Sequence, residues 1–324
     1  MQLNHSHLLT SRAGGATKPE ERWVLIANPI SGKGRQDQLV HQVADHLQKA
    51  RGTPKILWTA RRGHAEELAA TAVREGATHV VAIGGDGTIH EIVNGIVNAR
   101  TSVDSVILGI LPLGTCNDLA RELKIPRKLS SGIQTLLSGR VRFVDLGKVG
   151  ERYFTTVATL GFDTSVSQYV ASGAGPGFLS GTMKYLYGAL ATLFRYRSVR
   201  VHLRSDNNEF EGPVFLAAIA NTSYYGGGMK IAPTALIDDG GLTLCLVRQM
   251  SRMEVVRMLP TVFSGKHIRH PKVSTSFVRR LEVTSSEPVA IWADGEPIAR
   301  TPATFQVVPH SLPLLVPHGG TDCI

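Results

Sequence analysis

The sequence predicts an N-terminal α/β domain with a Rossmann-like parallel sheet, followed by a C-terminal antiparallel β-sandwich-like domain. The chain has 324 residues, more than one hydrophobic core usually spans. From Trp23 to Leu111, apolar strand-like runs alternate with helix-like segments, which is typical of a parallel sheet. From about Gly139 to Val308 the apolar runs are short, β-branched and separated by glycine and proline, which indicates antiparallel strands.

In the first domain the apolar patterns predict four strands, at Trp23 to Ala27, Lys55 to Thr59, His79 to Ile83 and Val106 to Leu111. Helices are predicted over Gln36 to Ala50, Ala65 to Glu75 and the segment with Ile89, Ile92, Val93 and Ile96 at helical spacing. The strands of the second domain are interrupted by two predicted helices, Leu179 to Phe194 and Arg252 to Phe263. We therefore divide the chain into a flexible N-terminal tail (1–21), an α/β domain (22–142), a β-rich domain (143–308) and a C-terminal segment (309–324). For that last segment, packing back on the first domain is one alternative.

Composition excludes several classes of protein. With 43% hydrophobic and 19% charged residues, the chain is too apolar to be mainly disordered. Its three well-separated cysteines form neither a zinc-binding pattern nor a disulfide framework. No apolar run approaches the roughly 18 residues of a membrane span, and the polar first 21 residues do not resemble a signal peptide. We expect a cytoplasmic protein.

The basic residues are concentrated in one stretch. The formal net charge is +9, and Arg248 to Arg280 contains eight basic residues against the single acid Glu254. A solvated basic face and an anionic partner both remain open as interpretations. Because aromatic residues are only 6% of the chain and no recognition helix is evident, we expect no nucleic-acid binding. Peripheral contact with an anionic membrane, through apolar and basic residues of Arg252 to Phe263, is the favoured hypothesis.

Three polar loops follow predicted parallel strands and should meet at one edge of the sheet. The first, Gly84 to Thr88, reads GGDGT and leads into a helix, so its backbone N–H groups could hold phosphate, although an Asp-capped glycine turn is equally compatible. The second, Asn28 to Gly34, contains Gly-Lys in the wrong spacing for a Walker A loop, which argues against a P-loop NTPase. The third is Leu113 to Asp118. Their convergence predicts a ligand-binding crevice.

A fourth candidate lies far along the chain, at Ala293 to Pro297. Asp294 and Gly295 are a common pair in a hairpin turn, so Asp294 and Glu296 could be purely structural. Alternatively, the turn reaches the crevice and supplies a general base. Local sequence does not decide between the two.

Taken together, these motifs resemble the diacylglycerol kinase catalytic-domain family, specifically the bacterial YegS-type and diacylglycerol-kinase-like lipid kinases. The resemblance runs from about Trp23 to Val316 and rests on the motifs NPISGKG, Thr59 with His64, GGDGT followed by Glu91 and Asn94, LPLGTCNDLAREL, IDDGGL and DGE. It implies that residues 22–142 form a nucleotide-binding domain similar to those of NAD kinase and phosphofructokinase, and that residues 143–308 form a lipid-substrate domain. It also implies an ATP-dependent lipid kinase with Mg²⁺ as cofactor.

The resemblance implies roles for particular residues. ATP would be contacted by a set drawn from the strand-end loops: Asn28, Thr59, Gly85, Asp86, Gly87, Thr88, Ile89, His90, Glu91 and Thr115. Glu296 would act as general base and Asp86 through the catalytic Mg²⁺, although the division of proton transfer between these two stays open. A structural Mg²⁺ would be bound by the Asp239 carboxylate and by the carbonyl groups of Leu236 and Gly241. Cys116 and Gly241 depart from the usual family residues without removing a side-chain ligand.

Alternatives to a lipid kinase are a NAD kinase-like soluble kinase and a non-catalytic, membrane-associated nucleotide-binding regulator. The combination of LGTCND with a late DGE disfavours the first, and the presence of both Asp86 and Glu296 disfavours the second. The lipid acceptor stays open among diacylglycerol, phosphatidylglycerol and sphingoid lipids. The oligomeric state also stays open, a homodimer being one alternative.

Overall fold

The computed structural model describes residues 21–31, 36–103, 106–176, 179, 182–206 and 208–318, without the side chains of Thr182 and Tyr185. The predicted N-terminal tail up to residue 20, the Gly32 to Gly34 part of the second loop and the last six residues lie outside the described residues.

The first domain is a parallel sheet with helices on both faces. Its elements are β1 (Trp23–Ala27), α1 (Gln36–Arg51), β2 (Lys55–Trp58), α2 (His64–Arg74), β3 (His79–Gly84), α3 (Asp86–Ala99), β4 (Ile107–Pro112), α4 (Asp118–Glu122) and α5 (Leu129–Ser138). The strands pair in the order β2–β1–β3–β4, all parallel. One apolar cluster joins the sheet to α2 and α3, and a second joins its other face to α1 and α5. Because each face is covered, β1 is buried along its whole length.

The second domain is built from antiparallel strands. Its elements are β5 (Arg140–Val149), β6 (Arg152–Phe154), β7 (Val157–Gly161), α6 (Phe162–Ala171), α7 (Thr182–Leu193), β8 (Val199–Ser205), β9 (Glu209–Ala220), β10 (Leu242–Arg248), α8 (Arg252–Phe263), a 3₁₀ turn (Lys266–Arg269), β11 (Val273–Val278), β12 (Arg280–Ser285), β13 (Ala290–Ala293), β14 (Glu296–Arg300) and β15 (Ala303–Val316). The strands pair in the order β14–β13–β7–β9–β8–β12–β15, with β10 joining β9 to β11 and β5 joining β15 to β6.

Strand β15 connects the two domains. Its first residues pair with β12, whereas Leu314 near its end pairs in parallel with Leu108 of β4. Leu312 and Leu314 are fully buried in the same apolar cluster as α2 and α3. The end of the chain therefore completes the sheet of the first domain, and the hydrogen-bonded sheet is continuous from one domain to the other.

Three helices, α6, α7 and α8, cover one face of the second domain. The two predicted helical inserts correspond to α7 and α8, and α8 begins at a capping box in which Ser251 and Glu254 each accept from the other's backbone N–H. The prediction missed α4, α5 and α6. Helix α6 follows β7 directly and its residues include β-branched Val166 and Val170, so its pattern is difficult to distinguish from a strand.

Candidate active site

The glycine-rich loops after β3 and β4 lie against each other. Gly85 precedes α3 in an extended conformation, and a Cβ placed on it would lie 3.1 Å from the Cα of Gly114. A Cβ on Gly114 would lie only 2.4 Å from the Cα of Gly85. Neither position can therefore accept a side chain without moving the backbone of the other loop. The contact explains why both loops need glycine at this point.

Asp86, the first residue of α3, connects these two loops. Its carboxylate accepts hydrogen bonds from the backbone N–H groups of Asn117 (2.7 Å) and Asp118 (2.9 Å). Burial raises the pKa of Asp86 to about 6, and the nearby Asp118 carboxylate raises it further, against the effect of these hydrogen bonds. Asp86 thus holds the loop after β4, and its carboxyl group is a weaker acid than that of a solvent-exposed aspartate.

Asp118 lies beside Asp86 at the start of α4. Its Oδ2 accepts from the backbone N–H of Gly227 at 2.8 Å, and burial raises its pKa. Its Oδ1 is buried and accepts no hydrogen bond from a described residue, the Nε of Arg121 being 3.7 Å away. Ligand atoms of Asp86, Cys116 and Asp118 lie within 4.8 Å of one another. A buried carboxylate oxygen without a donor, next to a second carboxylate, fits a hard cation such as Mg²⁺.

The β13–β14 hairpin brings Asp294 from the second domain to α3. Asp294 and Gly295 have φ values of 51° and 84°, as a two-residue type I′ turn requires. The Asp294 carboxylate accepts from the backbone N–H groups of Thr155 (2.8 Å) and Thr156 (2.9 Å), from both threonine hydroxyls, and from Nδ1 of His90 at 3.0 Å. Burial acts to raise the pKa of Asp294, but His90 and the other donors outweigh it and the pKa is lowered. This carboxylate therefore anchors the hairpin.

The anchored hairpin places Glu296 beside the glycine-rich loop. A Cβ on Gly87 would lie 3.6 Å from Oε1 of Glu296. The Glu296 carboxylate also forms an ion pair with Arg62, which follows β2. The side chain of Glu296 is 26% exposed, so the carboxylate is accessible from the crevice. Residues 87 and 296 are far apart in the chain, but they meet at this point.

Three cavities lie in series along this region. The central one, which we call the cleft, has a volume of about 280 Å³, and its described lining includes five carboxylates and no lysine or arginine: Asp86, Asp118, Asp163, Asp294 and Glu296. A second, the outer cavity, of about 260 Å³, shares Glu296 with the cleft and is also lined by Arg62 and Arg152. A third, the apolar cavity, of about 60 Å³, shares Asp163 and Tyr225 with the cleft. The outer cavity thus lies between the first domain and the hairpin, and the apolar cavity lies among α6, α7, α8 and the sheet.

The residues predicted to bind ATP fall into three groups. Asp86, Gly87 and Thr115 line the cleft together with Glu296, and His90 and Glu91 line the outer cavity. The third group lies where β1 and β2 end. The amide Nδ2 of Asn28 donates to the Thr88 hydroxyl at 3.4 Å, and the N–H of Thr59 donates to the carbonyl group of Ala27.

Two of the predicted residues have additional structural roles. The Ile89 side chain is buried in the core, which leaves its backbone as the part that could contact a nucleotide. The Glu91 carboxylate accepts from the N–H groups of Gly63 and Ala65 at 2.8 and 3.0 Å and so caps α2. This cap fixes the loop that carries Arg62.

The predicted structural magnesium loop lies outside the described linings of all three cavities. Leu236, Asp239 and Gly241 belong to the connection before β10, and the Asp239 carboxylate accepts from the Gly241 N–H at 3.1 Å. Burial raises the pKa of Asp239, and the adjacent Asp145 and Asp238 raise it further. This excess of negative charge is compatible with a bound cation, and the site stays a prediction.

Sequence reasoning missed several residues that the structure brings to the cleft and to the outer cavity. Asp118 belongs to the LPLGTCNDLAREL motif but was not predicted as a site residue, although its position at the end of the third polar loop could have indicated one. Asp163, just after β7, and Tyr225, in the connection after β9, belong to no motif. Arg62 lies two residues before His64, within the Thr59 motif, and could have been found there.

The chain matches models of two known domains. Residues 22–149 match the diacylglycerol kinase catalytic domain, and residues 156–316 match the YegS C-terminal NAD kinase beta sandwich-like domain. A protein from Staphylococcus carnosus named diacylglycerol kinase is 30% identical over 281 residues, which is 87% of this chain and 90% of that protein. A protein of the same name from Staphylococcus saprophyticus is 29% identical over 294 residues, 91% of this chain and 95% of the relative.

The fold is also found in a crystal structure of a putative diacylglycerol kinase from Bacillus anthracis. It superposes with a TM-score of 0.76 over 93% of this chain and 98% of that one, at 20% identity. The chain therefore belongs to the diacylglycerol kinase family, a family of lipid kinases. The α/β domain followed by an antiparallel β domain, which the sequence predicted, is confirmed.

Proposed function

We propose that this protein transfers the γ-phosphoryl group of ATP to a primary hydroxyl of a lipid, with Glu296 as general base. The observation that carries the proposal is the contact of Glu296 with the glycine-rich loop at Gly87, in a cleft that continues into an apolar cavity. A phosphate site, a proton acceptor and a space for acyl chains thus follow one another. Phosphoryl transfer needs positioning, charge neutralisation and a proton acceptor, and little covalent chemistry from the protein.

On the nucleotide side, the N-terminus of α3 supplies backbone N–H groups and a favourable dipole for phosphate. The outer cavity, lined by His90 and Glu91, would hold another part of the nucleotide. Because five carboxylates and no lysine or arginine occur in the described lining of the cleft, a triphosphate there requires added cations.

Asp86 and Asp118 are the residues that would hold Mg²⁺, since their oxygens are close together and one lacks a hydrogen-bond donor. The ion would neutralise negative charge on the transferred phosphoryl group and its leaving group. The neighbouring Cys116 thiol is half-buried beside these carboxylates, and loss of solvent raises its pKa to about 12. We therefore assign Cys116 no nucleophilic role.

Glu296 would remove the proton from the lipid hydroxyl as its oxygen bonds to phosphorus. It is the carboxylate of the cleft suited to this because Asp294 is fully engaged with Thr155, Thr156 and His90. Asp86 accepts two backbone N–H groups and is placed to bind the cation. Arg62 forms an ion pair with Glu296 and so holds its carboxylate at the edge of the cleft.

The apolar cavity supports a lipid as the acceptor. Apart from Asp163, Tyr225 and His267, its lining is apolar, and it lies between α6, α7, α8 and the sheet. Its volume of about 60 Å³ holds only a few methylene groups, so long acyl chains must extend beyond it. Tails that remain partly in a bilayer would meet this requirement if α7 and α8 lay on the membrane.

The outer faces of α7 and α8 have the composition of a membrane-contact surface. On α7 and just after it, Met183, Tyr187, Leu190 and Phe194 are exposed at helical spacing, the last by 64%. On α8, Met253, Val256 and Phe263 are exposed, the first by 59%. The exposed basic residues nearest in sequence are Arg195, Arg197, Arg252, Arg257, Lys266 and Arg269. We infer that this surface binds anionic membranes peripherally. Among the described residues, no helix is long and apolar enough to cross a membrane.

Liposome sedimentation tests the membrane surface. The double variant Phe194→Ser/Met253→Ser should bind anionic vesicles about thirtyfold more weakly, because each inserted side chain contributes on the order of 1 kcal/mol when partly buried. Ile30→Ser is the matched control, since Ile30 is 89% exposed on the first domain and should not affect binding. Binding that is unchanged in the double variant, or insensitive to anionic lipid content, contradicts this part of the proposal.

Transfer of labelled phosphate from ATP to acceptors in mixed micelles tests the activity itself. Diacylglycerol, phosphatidylglycerol, a sphingoid base and NAD should be assayed side by side, with and without Mg²⁺. We expect a labelled lipid and no labelled dinucleotide. Labelled NADP as the only product would establish the NAD kinase alternative, and the absence of any product would establish a non-catalytic role.

A further inference from the structure

Asp163 lies where the cleft meets the apolar cavity. It is the second residue of α6, immediately after β7 and Gly161, and only 8% of it is exposed. It lines both cavities, and the other residue that does so is Tyr225. A lipid whose hydroxyl reached Glu296 and whose tail entered the apolar cavity would pass these two side chains. None of the roles assigned so far involves Asp163.

Both described hydrogen bonds to the Asp163 carboxyl group come from uncharged hydroxyls. The Thr159 hydroxyl donates to Oδ2 at 2.8 Å and the Tyr225 hydroxyl to Oδ1 at 3.1 Å. In contrast, Asp118 has Arg121 nearby and Asp294 has His90. A buried carboxyl group that has no cationic partner is costly unless a further donor reaches it. Burial also raises the pKa of Asp163. A ligand group that donates a hydrogen bond to this carboxyl group would therefore stabilise it.

Each oxygen of Asp163 can accept more than the one hydrogen bond that it receives from the protein. The Thr159 and Tyr225 hydroxyls hold the carboxyl plane in place, and the lining of the cleft shows that the group is accessible to a ligand. The missing partner is therefore a hydrogen-bond donor on the ligand, at the boundary between its polar head and its tail.

We propose that Asp163, positioned by Thr159 and Tyr225, is a subsite for the head of the lipid acceptor and accepts a hydrogen bond from a hydroxyl or amino group next to the hydroxyl that is phosphorylated. The proposal rests on the lipid kinase function proposed above. It makes the preferred acceptors lipids with a vicinal diol or amino-alcohol head. The ester oxygens of 1,2-diacylglycerol accept hydrogen bonds but cannot donate them, so this lipid gains less from the subsite.

Three single-chain acceptors with the same tail isolate the effect: octadecan-1-ol, octadecane-1,2-diol and 2-aminooctadecan-1-ol. They should be compared in mixed micelles with the wild-type protein by kcat/KM, beside 1,2-dioleoylglycerol. A buried hydrogen bond is worth about 1 kcal/mol, and more when one partner is charged. We expect the diol to exceed the simple alcohol by about fivefold and the amino alcohol to exceed it by about tenfold or more.

Two variants test whether Asp163 is responsible. Asp163→Asn keeps one acceptor but removes the charge, so the amino alcohol should lose its advantage over the diol. Asp163→Leu removes both acceptors, and all three alcohols should then react at rates within about twofold of one another. Tyr225→Phe, which removes one supporting hydroxyl, should give an intermediate ratio and provides a result if the leucine variant does not fold.

Val166→Ala is the matched control, because Val166 lies one turn further along α6 and lines only the apolar cavity. This variant should affect the three alcohols equally, since they share one tail. Equal kcat/KM for the three alcohols with the wild-type protein overturns the proposal, as do Asp163 variants that lower all three equally. Failure of the wild-type protein to phosphorylate any lipid refutes instead the function on which the proposal rests.

Discussion

Replacement of Glu296 by glutamine is the most direct test of the active site. The change keeps the size of the side chain and removes its ability to accept a proton. General base catalysis typically contributes 10²- to 10⁴-fold, so we expect kcat to fall by about that factor. In free energy this is an increase of about 3 to 5 kcal/mol in the activation barrier. The KM for ATP should change little, because Glu296 accepts the proton of the other substrate.

The structure predicts that the same variant remains stable. Glu296 lies on a hairpin whose anchor is Asp294, and its own described partner is Arg62, which is 68% exposed. An ion pair of this kind contributes about 0 to 1 kcal/mol to folding. The melting temperature of Glu296→Gln should therefore stay within a few degrees of the wild-type value. A large loss of activity in a stable protein separates a catalytic role from a structural one.

The assay is transfer of labelled phosphate from ATP to the best acceptor of the lipid panel, followed by extraction of the lipid product. Glu151→Gln is the control, because Glu151 undergoes the same chemical change on a side chain that is 95% exposed beside Lys148. This control should retain full activity. If Glu296→Gln kept more than about a tenth of the wild-type kcat, Glu296 would not be the general base. Asp86 would then be the remaining candidate for that role.

Two further predictions concern the carboxylates around Glu296. In urea titrations, Asp294→Ala should lower the free energy of unfolding by about 3 to 5 kcal/mol. The reason is that the change leaves His90 and the donors of Thr155 and Thr156 buried without their acceptor. A loss below about 1 kcal/mol would contradict an anchoring role. For Asp86, whose pKa rises from 3.8 to about 6 on folding, the folded state holds a proton that the unfolded state loses between these values. The free energy of unfolding should therefore fall by about 3 kcal/mol as pH rises from 4 to 6 and then level off, and the same urea titrations with Asp86→Ala should lack this component.

The alternation of strands and helices up to β4 was predictable because β1, β3 and β4 are buried on both faces, whereas the following α4 and α5 were missed. The β1 and β3 segments consist almost entirely of apolar residues and end at Asn28 and Gly85, so their type and their ends follow from composition and from glycine. Strand order was not predictable, since β15 reaches β4 through a pairing at Leu314 and Leu108 that has no local sequence signal. Long-range pairing depends on the packing of the whole chain.

Site residues that belong to a local sequence motif could be predicted. Residues that reach the site only because distant parts of the chain pack together could not. Gly85 and Gly114 are glycines because the backbones of two loops touch, and glycine is visible in a sequence. Asp163 at the start of α6 and Tyr225 in the connection after β9, in contrast, are ordinary residues. Their hydrogen bond joins two parts of the chain that no local sequence signal connects. The family resemblance could suggest Glu296, but it could not show that Asp294 fixes the position of Glu296 through threonines on another connection.

The series of three cavities constrains how two dissimilar substrates could meet. Glu296 separates the outer cavity from the cleft, and Asp163 with Tyr225 separates the cleft from the apolar cavity. ATP and lipid can therefore enter from opposite ends, and neither has to pass the other. The Asp294 network ties α3 of the first domain to the hairpin of the second, which fixes the distance between the Gly85–Thr88 loop and Glu296, the proposed general base. Because this network is buried and extensively hydrogen-bonded, we expect the central part of the cleft to stay fixed and any opening for acyl chains to occur at α7 and α8, where apolar side chains are already exposed.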